Sequence, residues 1–74
     1  MQVEPSLVYG GIYEYFGLPE QCAGHRYRLH REILYVPVFA KLLLVEALSG
    51  PDAGLWFACS PDNFSRRYRL VEAV

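Results

Sequence analysis

Six of the seven basic residues are arginines, and they fall in two clusters interleaved with tyrosine: HRYRLHR at 25–31 and RRYR at 66–69. Arginine offers a planar fork of donors that grips phosphate or carboxylate two-handed, and an aromatic face can stack a base. If the two clusters lie on neighbouring strands, Arg26, Arg28, Arg67 and Arg69 form one positive patch able to hold single-stranded nucleic acid or another anionic ligand. The same alternation turns the tyrosines to the opposite face, towards a core. The competing reading is therefore ordinary strand charge that discourages edge-to-edge aggregation.

Other chemistry is thinner. Cys22 stands three residues before His25, near several arginines that could lower its pKa. A nucleophilic thiol also needs an orienting third group and an oxyanion site, and neither is legible, so no catalytic residue is assigned. Cys22, His25, His30 and Cys59 are the available metal ligands, but only Cys22 and His25 have the short spacing of a ligand pair, so no metal site is expected. Glu14 with Glu32 or Glu46 could pair across strands, yet these carboxylates read more simply as partners for the arginines. Gly10-Gly11 reads as a turn or bulge before a strand. No cofactor motif occurs.

Seventy-four residues make one small domain, 1–74, and at this size a single core gives marginal stability. The chain is 53% apolar and 15% aromatic, with six Tyr, four Phe and one Trp, so some aromatic surface is expected to be exposed or to sit in an interface. A net charge of -1 creates no global field towards nucleic acid or an anionic membrane. No signal segment opens the chain and no apolar run approaches the length of a spanning helix. A cytoplasmic protein that does not engage a membrane, with two free thiols, is the expectation.

These residues must be positioned by short elements. IYEYF (12–16) has strand composition, with Tyr13 and Tyr15 on one face and Ile12, Glu14 and Phe16 on the other. GLPEQCAG (17–24) reads as a loop. From His25 a strand alternates Tyr27 and Leu29 against Arg26, Arg28 and His30 until Pro37 interrupts it. KLLLVEALSGPDAGLWFAC (41–59) admits two readings. Pro37 at a first helical position, good helix formers and Gly50-Pro51 as a stop would make a helix over 37–48. Only Lys41 and Glu46 are polar in that run, however, so a helix would lack a wet face, and strand, turn, strand is favoured. SPDNF (60–64) predicts one turn of 3₁₀ helix capped by Ser60. RRYRLVEA (66–73) predicts a closing strand with Tyr68 and Leu70 inward and Arg67, Arg69 and Val71 outward.

Gly11, Tyr13, Tyr15 and Phe16, then Ala47, Leu48 and Gly50, then Leu55, Trp56, Pro61 and Phe64 follow a spacing that resembles a small bacterial domain family of unknown function. Its pattern is Gly-x-Tyr-x-His-Tyr/Phe, Ala-Leu-Tyr-Gly and Leu-Trp-x-Arg-Pro-x-x-x-Phe. The family's His is Tyr15 here, its Tyr before Gly is Ser49, and its Arg-Pro is replaced by Cys59-Ser60-Pro61, so no ligand site carries over. The resemblance implies an SH3-like β-domain and supplies no function.

The expected architecture is therefore mainly β: a small five-stranded SH3-like barrel with one 3₁₀ turn near 60–64, the alternative being α+β with a helix at 37–48. The expected function is a non-enzymatic interaction module, binding a partner protein or its own copies. The alternative is a binder of single-stranded nucleic acid or an anionic ligand through Arg26, Arg28, Arg67 and Arg69.

Overall fold

The computed structural model describes residues 7–17 and 23–73. Five strands form one antiparallel sheet: β1 (Ile12–Tyr15), β2 (Arg26–Tyr35), β3 (Ala40–Ala47), β4 (Trp56–Cys59) and β5 (Tyr68–Glu72). Their spatial order is β4-β3-β2-β1-β5. The chain is mainly β, as its alternating segments predict. The sheet does not close into a barrel: β4 and β5 remain its two outer strands.

The alternation decides the strands. Tyr13, Tyr15, Tyr27, Leu29, Leu43, Val45 and Ala47 are all buried and share one face. Phe64 closes that face from above, with its ring edge-on to Tyr13 at 4.8 Å and stacked on Tyr68 at 4.6 Å. A helix over 37–48 is excluded. Ala40–Ala47 is a strand whose odd residues from Leu43 to Ala47 enter the core, and only Val36–Val38 forms a 3₁₀ turn. An eight-residue run with two polar groups could not have wetted one face of a helix; as a strand it needs only its inner residues covered.

The turn expected over 60–64 is longer than one turn and is an α-helix, α1 (Pro61–Arg67). Ser60 caps it by accepting the Asn63 N–H at 3.2 Å, Pro61 takes the first position, and Asp62 lies in the first turn. Ser60→Ala is expected to cost about 1 kcal/mol. Urea unfolding would read this as a lower midpoint with an unchanged slope. The closing strand accordingly starts at Tyr68, and Arg66 and Arg67 belong to the last turn of the helix.

β2 and β3 outrun their neighbours. β1 pairs with β2 only at Arg26–Arg28, and β4 pairs with β3 only at Leu43–Glu46. Among the described residues, Arg31 and Glu32 pair with Leu44 and Leu43 of β3 and have no strand on their other side. Ile33–Tyr35 and Ala40–Leu42 therefore pair with each other alone. They form a two-stranded arm beyond the body of the sheet. The register shifts between Leu29 and Arg31, which leaves His30 as the extra residue of a β-bulge at the root of the arm.

Candidate functional site

Two surfaces emerge: the outer face of the sheet and the arm.

On the outer face the pairing register lines up Arg69, Glu14 and Arg26 across β5, β1 and β2. Arg69 Nη2 donates to Glu14 Oε1 at 3.0 Å, and its guanidinium carbon lies 5.9 Å from the centre of the Phe16 ring. The adjoining row is Ile12, Arg28, Glu46 and Trp56 across β1 to β4. His30 shares this face by the alternation of β2; its Nε2 lies 2.8 Å from Glu46 Oε1 and its ring stacks on Trp56 at 4.1 Å with the planes 20° apart. Arg28 Nε is buried and has no hydrogen-bond partner.

Of the four arginines singled out by the sequence, three share this face and one does not. Arg67 ends α1, and its Nη1 reaches the Tyr15 hydroxyl at 3.4 Å, whereas Tyr15 is on the core side. The alternation that placed Arg67 beside Arg69 fails because the helix runs through Arg67. The three that remain, Arg26, Arg28 and Arg69, stand among the carboxylates of Glu14 and Glu46. The expectation that these acids serve as charge partners holds for Glu14 with Arg69, but Glu46 takes His30 and Glu32 takes Lys41 at 3.9 Å.

The thiol reading rests on Cys22, which lies outside the described residues. Cys59 is a free, half-buried thiol, and burial raises its pKa, which keeps it protonated and a poor nucleophile near neutrality. Among the described residues no three of the His, Cys, Asp and Glu side chains converge as a metal centre would need. No helix among them is long and apolar enough to cross a membrane. A cleft of about 330 Å³ between β1, β5 and α1 is lined mostly by apolar side chains, including Leu7, Tyr13, Phe64 and Leu70.

The arm carries the larger apolar surface. Leu34, Tyr35, Val36, Val38 and Phe39 are each about half exposed or more, and Phe39 reaches 76%. From Ile33 to Ala40 no residue is charged. Phe39 also has a φ of 52°, a left-handed conformation that bulky side chains rarely adopt, while its N–H donates to the Val36 carbonyl at 3.2 Å. Sequence reasoning passed over this tip. Its signal was the run LYVPVF, apolar on both faces of the pleat, with Pro37 forcing a turn in its middle.

The class defined by these features is a small, mainly-β domain with one open antiparallel sheet, a helical cap over the core and a projecting apolar arm. No family model matches the chain, and neither a curated protein nor a solved structure matches it significantly.

Proposed function

We propose that the chain is a non-enzymatic interaction module that engages protein through the β2–β3 arm. The observation that carries this reading is the tip Leu34–Phe39, an uncharged apolar surface held in water at the end of a two-stranded ribbon. An isolated ribbon is at best marginally stable, and exposed apolar surface of this kind usually marks a contact. The strain at Phe39 points the same way. Glycine would adopt φ 52° without cost, yet the position holds a large aromatic residue that is about three-quarters exposed. The strand order, with a helix just before the last strand, also supports the SH3-like resemblance.

The arginine-face alternative draws less support. Arg67 is turned away, Arg69 is engaged by Glu14, and Arg26 and Arg28 are flanked by Glu14 and Glu46. The buried unpartnered Nε of Arg28 beside the Trp56–His30 stack is what remains in its favour.

A photo-crosslinking amino acid placed at Val38 is expected to give discrete protein adducts in the cells that make the protein. The same group at Asp52, exposed in the β3–β4 turn, is expected to give none. Equal labelling at both positions, or none at Val38, would sink the arm reading.

A further inference from the structure

The arm has a free edge, and its backbone polarity can be read from the hydrogen bonds of the body. Ala47 spends its N–H and carbonyl on the Leu55 and Gly54 side, away from β2, whereas the Leu48 N–H donates to the Arg26 carbonyl of β2. Even-numbered residues of β3 therefore face β2, and their partners Arg31, Ile33 and Tyr35 turn their backbone groups inward. The groups left pointing off the β2 edge belong to Glu32 and Leu34. Among the described residues nothing meets them: residues 7–11 cover this edge only as far as Leu29, where Gly10 donates to the Leu29 carbonyl at 2.6 Å.

An edge two donors and two acceptors long is complementary to itself under a twofold axis. We infer that the occupant of the arm is a second copy of this chain, paired antiparallel along the free edge of β2 about a twofold axis at Ile33. This rests on the arm being the interaction surface. In this register Glu32 and Leu34 exchange both backbone hydrogen bonds with Leu34 and Glu32 of the second copy.

Charge and length select the register. An axis at Arg31 sets two guanidinium groups opposite each other, and one at Glu32 sets two carboxylates opposite, each disfavoured. An axis at Leu34 or Tyr35 runs the ladder into the Val36–Val38 turn. At Ile33 all five residues Arg31–Tyr35 are paired. The outer face then carries one aliphatic row, Leu42, Ile33, Ile33 and Leu42, across four strands, because Ile33 already opposes Leu42 within each copy. Arg31 comes opposite the Tyr35 ring of the second copy, a favourable cation–aromatic neighbour. The apolar tip arrives beside the second copy's Gly10 and its exposed Tyr9. The other edge of the arm is guarded by Lys41, whose charge discourages pairing there.

Sedimentation equilibrium of the full chain tests this. The wild type is expected at twice 8.5 kDa at micromolar concentration. Glu32→Pro is expected to sediment at the single-chain mass with unchanged far-UV circular dichroism, because it deletes an N–H that points off the β2–β3 ladder. Glu32→Ala is expected to remain a dimer. In a Cys22→Ser, Cys59→Ser background, Ile33→Cys is expected to form a reducible dimer in air. Leu42→Cys is expected not to, since two strands then separate the thiols beyond disulfide reach. A wild type that stays single-chain up to millimolar concentration, a Glu32→Pro dimer, or equal cross-linking from 33 and 42 would each overturn the second copy as occupant. If those failures come with Val38 adducts to a different protein, the arm reading survives and only the occupant is wrong. With no Val38 adducts, or with partition of the wild type onto lipid vesicles in their place, both fall.

Discussion

Phe64→Ala is expected to leave the domain unfolded at room temperature. Among the described residues Phe64 is the one fully buried side chain contributed from outside the sheet, and it covers the tyrosine layer formed by Tyr13 and Tyr68. Truncating a buried phenylalanine typically costs about 3–5 kcal/mol, from lost transfer free energy together with the cavity that stays behind. The cavity would not collapse here. Phe64 already lines the cleft beside β1 and β5, so its removal would extend that cleft into the core and admit water to Tyr13. A single core of this size supplies only about 3–5 kcal/mol in total. Loss therefore equals supply. Far-UV circular dichroism of Phe64→Ala should resemble that of the urea-unfolded wild type, and a native-like spectrum with a cooperative urea transition near the wild-type midpoint would contradict the packing described.

Phe64 also marks where the sequence was and was not legible. The strands were readable because period-two alternation is a local signal: IYEY and RYRL state their buried faces without help from the rest of the chain. The 37–48 segment was readable for a negative reason, the absence of a polar face wide enough for a helix. The length of α1 was not. SPDNF announces a cap and a first turn, but whether the helix stops at 64 or continues through Arg67 depends on Phe64 finding the core and Tyr68 reaching β1, which are long-range contacts. That undecided last turn is what misplaced Arg67. A strand starting at 66 puts Arg67 and Arg69 on one face, whereas a helix ending at 67 sends Arg67 to Tyr15 and leaves Arg69 with Glu14.

Closure of the sheet was equally out of reach. Alternation tells which residues are inside but not whether β4 and β5 meet, since that depends on accumulated twist and coil across all five strands. The arm was hidden for a related reason. The apolar residues of LYVPVF look like core when counted, and their exposure follows only from β1 and β4 stopping short of them. The outer-face stack was half legible: alternation in HRYRLHR puts His30 on the face of Arg26 and Arg28, but its meeting with Trp56 follows only from β3 pairing with both β2 and β4.

The arm's separation from the core gives the second large effect, a contrast between two leucines of one strand. Leu29→Ala is expected to destabilise the domain by about 2–5 kcal/mol, and Leu34→Ala by no more than about 0.5 kcal/mol. Both sit on β2 and both turn to the core-side face, since the bulge at His30 resets the alternation between them. Leu29 is fully buried, packed among Tyr27, Leu43 and Val45, and its backbone fastens the chain before β1 to the sheet through Gly10 and Gly11. Leu34 is 56% exposed and lies opposite Lys41, past the last core residue of β3. Deleting its methyl groups removes little that water had not already reached. Urea unfolding at a concentration low enough to keep the chain single is the measurement, so that any contact between arms does not enter. Comparable losses from the two substitutions would mean that the arm folds back onto the core in solution, and the surface assigned to binding would then be interior.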